Sequence, residues 1–312
     1  MLHYIDYPSW ISPTIFKSLP IRWYSMMYLV AFGITFLLFV YQRNKGLIKI
    51  SNDDISTLFL FAIGGLIIGA RLFSALFYEG SSYYWTHPHL IFWPFYNGQF
   101  VGLPGMSYHG GLIGAVVGTL IFTRRYKFSF FEVSDVLVSG IPLGYTFGRL
   151  GNFINGELWG RVTSAKWGIV FPDAPSFSTS YTWVKEIASK VGMEIANTPL
   201  INLPRHPSQL YEAAFEGVIL WLFIWFIIKP RQKFKGFILG WYLIGYGAVR
   251  YVIEYFREPD AALGFIIKGA NSEPAALFLS PLNISMGQIF CLLMIVGGVL
   301  LLVIRKRLSN EQ

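Results

Sequence analysis

About seven apolar stretches dominate the chain, near residues 21–41, 55–78, 108–122, 133–150, 208–228, 236–256 and 284–304. Each is long enough, or nearly so, to cross a hydrocarbon core of about 30 Å, which takes roughly 20 helical residues. Lipid offers backbone N–H and C=O groups no partners, so a spanning segment must satisfy them within itself, as a helix does. The pattern predicts an all-α polytopic membrane protein with about seven transmembrane helices, the third and fourth short and glycine-rich. Only 13% of the residues are charged, against about a quarter in soluble domains. The formal net charge of +8 is therefore read by location, not as a sign of nucleic-acid binding. A single cysteine, Cys291, excludes an internal disulfide and any multi-cysteine metal site. Residues 1–20 are polar, aromatic and broken by proline, so no removable signal peptide is expected there.

Basic residues mark alternate connections. They are Arg43, Lys45 and Lys49; Arg124, Arg125 and Lys127; Lys229, Arg231, Lys233 and Lys235; and Arg305, Lys306 and Arg307. Residues 79–107 contain no Lys or Arg. Short basic loops stay cytoplasmic, and the four clusters share one side only if the N-terminus is outside and the C-terminus cytoplasmic. The outward side then receives residues 79–107, 157–207 and 257–283. Runs such as Tyr83-Tyr84-Trp85 and Phe92-Trp93-Pro94-Phe95-Tyr96 suit a membrane interface. The interval 157–207 is too long for a plain loop and is expected to form a small extramembrane arm between spans four and five.

Ionisable side chains at membrane depth are costly, and each is a functional candidate by default. Here they are Arg71, His109, Asp135, Arg149, Glu212, Glu216, Arg250 and Glu254. Some have plainer alternatives. Arg250 and Glu254, four residues apart, can neutralise each other on one helix face. Arg71 can snorkel to the interface, Asp135 can be a first-turn acid, and His109 can simply bridge its loop to its span. Glu212 and Glu216 carry like charge at the same spacing, so they need cations from elsewhere or a raised pKa. No His-Glu-x-x-His, Gly-x-Ser-x-Gly or phosphate-binding glycine loop before a lysine is present.

The densest polar cluster is Gly148-Arg149-Leu150-Gly151-Asn152-Phe153-Ile154-Asn155-Gly156-Glu157-Leu158-Trp159-Gly160-Arg161, where the fourth stretch gives way to the long interval. Glycines allow sharp turns and close approach, amides supply donors and acceptors, and guanidinium groups match phosphate oxygens. A helix C-cap at Gly151 with a last-turn Arg149 would explain part of the run, but not its remainder. The cluster is suited to a polar lipid head group.

Five further motifs accompany it: Arg22-Trp23-Tyr24, Met106-Ser107-Tyr108-His109-Gly110-Gly111, the run from His206 to Glu212, Gly245-Tyr246-Gly247-Ala248-Val249-Arg250, and Ile284-Ser285-Met286-Gly287-Gln288. Together, and in this order, they resemble the bacterial prolipoprotein diacylglyceryl transferase family from the first span to the last. The resemblance implies seven transmembrane helices in the bacterial cytoplasmic (inner) membrane, with the N-terminus outside. It implies transfer of the diacylglyceryl group of phosphatidylglycerol to the lipobox cysteine thiol in the signal peptide of a preprolipoprotein. The products are a thioether and glycerol phosphate, in the first step of lipoprotein maturation, with no cofactor, metal or nucleic acid. Carried over residue by residue, it implies catalytic roles for His109, Arg149, Arg250, Glu157 and Glu254. Tyr24, Asn152, Gly160, Glu212 and Tyr246 are implied, with the two arginines, to bind phosphatidylglycerol. Residues 162–202 carry no matching motif.

The implied chemistry fits the residues. A thiol with a pKa of about 8.5 needs a base or a positive field at neutral pH, and His109 is the candidate base. Arg149 and Arg250 would stabilise the leaving phosphate, Asn152 and Tyr24 would orient it, and Glu157 and Glu254 would hold the arginines. An anion transporter would also place arginines among spans, but no internal repeat is evident. A phospholipid hydrolase would use the same anion site with water as nucleophile. The charge pattern makes a direct forecast of topology. Cysteines introduced at Ser81 and at Lys233 should react with membrane-impermeant reagents from opposite faces; labelling from one face would overturn the orientation.

Overall fold

Helices carry the chain: α1 (Trp23–Asn44), α2 (Asn52–Tyr78), α3 (Tyr108–Arg125), α4 (Phe130–Val138), α5 (Ile141–Ile154), α6 (Thr182–Val191), α7 (Ser208–Arg231), α8 (Phe237–Ile253) and α9 (Met286–Asn310). The structure, a computed structural model, describes residues 3–15, 22–78, 83–96, 98–100, 102, 105–195, 198–259, 264–269 and 272–311. Ile21, at the head of the first expected span, and Ser81 lie outside the described residues. Among the described helices α1, α2, α7 and α9 are long and apolar enough to cross a membrane, and α8 is a shorter apolar helix. The chain divides into two units, Met1–Leu38 with Leu137–Gln312, and Phe39–Val136.

Within the unit Phe39–Val136, α2 and α3 pack backbone against backbone. A Cβ on Gly114 would fall on the Gly65 carbonyl, and one on Gly110 would strike the Gly69 carbonyl and the Phe73 side chain. Membrane helices associate through such small-residue contacts, since lipid supplies no hydrophobic drive between them. Gly110 and Gly114 therefore serve helix packing. Ser51 caps α2 by accepting from the Asp54 N–H, with Asp53 and Asp54 in the favourable first turn. Arg71 does not snorkel. It is 1% exposed, donating from Nε to the Ile91 carbonyl at 2.6 Å and from Nη2 to the Tyr84 hydroxyl at 3.1 Å. It fastens the segment after α2 through the Ile91 carbonyl and the Tyr84 hydroxyl. Asp135 is likewise no first-turn acid: that place belongs to Glu132, and Asp135 lies deeper in α4 with 1% exposure.

The apolar stretch 133–150 is not one helix. It breaks at Ser139 and Gly140, and α5 begins with Pro142 in its first turn. Proline cannot donate to the preceding turn but is pre-shaped for a helix start. In the larger unit α5 and α7 meet where the Thr146 hydroxyl reaches the Ala213 carbonyl at 3.3 Å. Val138, Leu220, Ile224, Ile228, Ile238 and Tyr246 form the apolar core beside this contact. Much of α7 winds as π-turns, from Glu212 to Ile219 and from Phe223 to Ile228.

The arm is built from three parts of the chain rather than from 157–207 alone. Strand β1 (Ile5–Asp6) pairs in parallel with β4 (Ile169–Val170), while β5 (Phe177–Ser178) pairs with β6 (Leu200–Ile201). Its core of Val162, Val184, Ala188 and Leu203 takes in Ala276 from the loop between α8 and α9. Strand β2 (Phe95–Tyr96) pairs with β3 (Gln99–Phe100) in the other unit, and β7 (Phe265–Ile267) with β8 (Ile284–Ser285) in this one.

Candidate functional site

Helix periodicity places Tyr145, Arg149 and Asn152 on one face of α5, at i, i+4 and i+7. On α7, Glu212 and Glu216 stand one turn apart, both essentially unexposed at 0% and 1%. Near the end of α8, Arg250 and Glu254 share a face, and Arg257 follows in the turn beyond. These side chains converge on Glu212. Its Oε2 lies 2.7 Å from Arg149 Nε and 3.3 Å from Arg250 Nη1, and its Oε1 lies 2.6 Å from Arg257 Nη1. Arg250 continues the network from Nη2 to Glu254 at 2.7 Å and from Nη1 to Glu216 at 3.5 Å. The plain pairing of Arg250 with Glu254 thus exists, but as one edge of a larger array.

Tyr145 ties the array together. Its hydroxyl sits 2.6 Å from Glu216 Oε2, 3.3 Å from Glu212 Oε2 and 2.6 Å from Arg149 Nε. Its ring lies 4.7 Å beneath the Arg149 guanidinium, a cation–π contact. Tyr246 packs edge-on against Tyr145, with centroids 6.1 Å apart. The Nη2 nitrogens of Arg149 and Arg257 have no protein partner among the described residues, and both side chains keep 16–18% exposure. The arrangement offers an anion open N–H edges on guanidinium groups whose other edges are fixed.

Asn152 links Arg149 to the turn that follows. Arg149 Nη1 donates to Asn152 Oδ1 at 3.2 Å, and Asn152 Nδ2 donates to Glu157 Oε1 at 2.9 Å. Glu157 therefore reaches Arg149 through an amide, and the carboxylate that holds Arg149 directly is Glu212. The turn has Gly156 at φ 67° and Leu158 at φ 58°. A left-handed residue with a side chain costs roughly 1–2 kcal/mol. Its backbone is held by the start of α7, where Gln209 Nε2 donates to the Glu157 carbonyl at 2.5 Å and Ser208 Oγ to the Leu158 carbonyl at 3.0 Å.

Gly160 sits at a crossing of three backbones. Its N–H donates to the His206 carbonyl at 2.8 Å, and a Cβ there would strike the Phe256 carbonyl and come within 2.8 Å of the His206 carbonyl. Next to it Arg161 is 3% exposed and donates from Nε to the Arg257 carbonyl at 2.6 Å. The arm thereby fixes the backbone that carries Arg257. Burial, with a smaller contribution from Arg161, holds the His206 imidazole down at about 4, so it is neutral at physiological pH. Tyr24, at the start of α1, shares a 3.0 Å hydroxyl contact with Tyr28. His109 belongs to the other unit, exposed at the start of α3, with Nδ1 3.2 Å from the Tyr78 hydroxyl. Among the described residues no group of three or more His, Cys, Asp or Glu side chains is placed to hold a metal ion.

Tyr145 and Arg257 were not singled out by sequence reasoning, and Glu216 was noticed without a role. Tyr145 carried a signal, its i, i+4 spacing to Arg149; Arg257 stands three residues after Glu254 but beyond the apolar stretch, where it reads as a loop charge. Removing the central carboxylate has a large expected effect, because breaking a buried ion pair leaves uncompensated charge worth roughly 3–5 kcal/mol. Glu212→Ala should lower the thermal unfolding midpoint in detergent sharply, and Glu212→Gln by less, since the amide still accepts from an arginine. Unchanged midpoints for both would show that the array is not held by Glu212.

A profile described as prolipoprotein diacylglyceryl transferase matches residues 13–304. Proteins named phosphatidylglycerol–prolipoprotein diacylglyceryl transferase are similar along the whole chain. One from Treponema pallidum is 47% identical, covering 95% of this chain and 93% of its own. Another from Treponema denticola is 47% identical over 100% and 98%, and one from Chlorobaculum tepidum 42% over 97% and 93%. The chain belongs to the prolipoprotein diacylglyceryl transferase family.

Proposed function

We propose that this chain transfers the diacylglyceryl group of phosphatidylglycerol to the lipobox cysteine thiol of a preprolipoprotein, releasing glycerol phosphate. The observation that carries the reading is the array around Glu212, with guanidinium N–H edges of Arg149 and Arg257 left open beside it, in a chain whose relatives bear that name. The thiol proton goes to a base, the sulfur attacks the glycerol carbon, and the carbon–oxygen bond to phosphate breaks as the thioether forms. The phosphate takes up the electron pair, so its charge grows through the transition state. Fixed guanidinium donors stabilise that growth without reorganising.

In this reading Arg149 and Arg250 bear on the phosphate, Arg149 through its open edge and Arg250 through its charge, with the open edge of Arg257 beside them. Glu254 and Glu212 orient Arg250, and Glu157 orients Asn152 beside Arg149. Tyr24 and Tyr246 contribute to lipid binding, and Gly160 does so through the backbone it positions. His109 takes the thiol proton. The nucleophile comes from the preprotein, which agrees with the burial of Cys291, 3% exposed. The protein is a multi-pass component of the bacterial cytoplasmic membrane. Seven crossings follow if α3, α8 and the α4–α5 pair each cross in addition to α1, α2, α7 and α9. The basic connections then face the cytoplasm and the arm faces outward.

Three outcomes test this reading. Purified protein given phosphatidylglycerol and a lipobox peptide should yield a lipidated thiol and glycerol phosphate. Arg149→Lys should cut turnover by about 10²–10³-fold, because a point charge does not replace a fork of donors; normal turnover by Arg149→Gln would remove Arg149 from the phosphate. His109→Gln should lose about 10²–10⁴-fold near neutrality and recover in part as pH approaches the thiol's own pKa. A deficit equal at every pH would assign His109 to positioning.

A further inference from the structure

The motif Ile284-Ser285-Met286-Gly287-Gln288 stands far along the chain from the arginines, and capping alone does not account for it. It forms β8 and the first turn of α9. Ser285 is the N-cap: its Oγ accepts from the Gln288 N–H at 3.3 Å, and Gln288 Oε1 accepts from the Ser285 N–H at 3.0 Å. That capping box needs only an acceptor oxygen at position 285, and Asp or Asn would serve as well. Yet the Ser285 hydroxyl also has a proton, which it donates to Glu254 Oε1 at 3.0 Å. Both groups are buried, at 3% and 8% exposure.

Gly287 supplies the second half of the contact. A Cβ built there would lie 2.7 Å from Glu254 Oε1, 3.0 Å from its Cδ and 3.4 Å from Oε2. The carboxylate therefore rests flat against the first turn of α9, and any side chain at 287 would push it away. A carboxylate at a helix N-terminus is electrostatically favoured. The opposite face of the same carboxylate, Oε2, is 2.7 Å from Arg250 Nη2 and 3.6 Å from Arg257 Nε.

We propose that Ser285 and Gly287 are positioning residues for the transfer reaction, a cradle that sets Glu254 and through it the guanidinium groups of Arg250 and Arg257. The inference rests on the diacylglyceryl-transfer reading of this site. A hydroxyl that both caps a helix and donates to a carboxylate does two separable things, and the cap can be kept while the donation is removed.

Ser285→Asp keeps a capping oxygen and replaces the donor by a second carboxylate; Gly287→Ala keeps the motif and crowds Glu254. Each is compared with the wild-type full-length protein for turnover of phosphatidylglycerol and a lipobox peptide, for KM of the lipid, and for thermal midpoint. Turnover per folded molecule should fall roughly 10- to 100-fold in both, the kinetic equivalent of losing a hydrogen bond to a charged group, while KM changes much less. If Ser285→Asp does not fold, Ser285→Ala is read in the same way, and Ser285→Thr, which keeps the hydroxyl, should restore turnover. Turnover within twofold of wild type in folded Ser285→Asp and Gly287→Ala would reduce the motif to a helix cap and overturn the proposal. So would a loss confined to KM. An inactive wild-type protein would instead sink the transfer reading itself.

Discussion

Glu212 is the constraint from which the site follows. A carboxylate with no exposure, inside a chain that is mostly apolar, is tolerable only if cations surround it. Arg149, Arg250 and Arg257 do so from α5, α8 and the turn after α8. Arg149 in turn has Glu212 as its one carboxylate partner among the described residues, while Arg250 and Arg257 also reach Glu254. The interdependence fixes how α5, α7 and the end of α8 stand to one another. Its geometry is directional, since Arg149 and Arg257 each have one edge committed and Nη2 open, while both Nη nitrogens of Arg250 are held by carboxylates. Buried ion pairs contribute little net stability against apolar replacements. What they supply here is orientation.

The arm enters the same logic from outside the apolar helices. Gly160 permits three backbones to cross, and Arg161 grips the carbonyl of Arg257. Arg205, fully buried, donates to the Gly160 carbonyl at 3.3 Å and pairs with Glu258 one residue beyond Arg257. Two buried arginines of the arm thus hold the strip of chain that presents a third. On the other flank the first turn of α9 holds Glu254. The array is braced by polar contacts from the arm and from α9.

Much of this was legible in the sequence, and what was hidden was hidden for physical reasons. The apolar stretches gave away the helices because lipid forces backbone satisfaction within each segment. Arg149, Glu212, Arg250 and Glu254 stood out because charge at membrane depth is costly wherever it occurs. Their pairing was not readable: Arg257 and Glu212 lie 45 residues apart and Arg250 and Glu216 lie 34 apart, with no local pattern linking them. The break before Pro142 had its signal in Gly140 and the proline, overridden by reading hydropathy alone. The two-residue strands β1 and β4 are too short to show any periodicity, so the recruitment of the N-terminus into the arm left no mark.

In the proposed transfer reaction, charge balance in the array bears on turnover as well as on binding. Arg149, Arg250 and Arg257 face Glu212, Glu216 and Glu254, so cations and carboxylates match in number. An uncompensated triple cation at this depth would bind a phosphodiester strongly, but it would bind the released phosphate monoester more strongly still, because the monoester carries more charge. Binding that grows with product charge slows release, and only preference for the transition state raises turnover. Matched carboxylates lower the general field and leave directed N–H groups to do the recognising. Such donors reward an oxygen at a particular place and charge growing upon it. On the proposed reading, a site of this kind favours the moment of carbon–oxygen cleavage over the anion that remains afterwards, which gives the glutamates among these arginines a use in turnover.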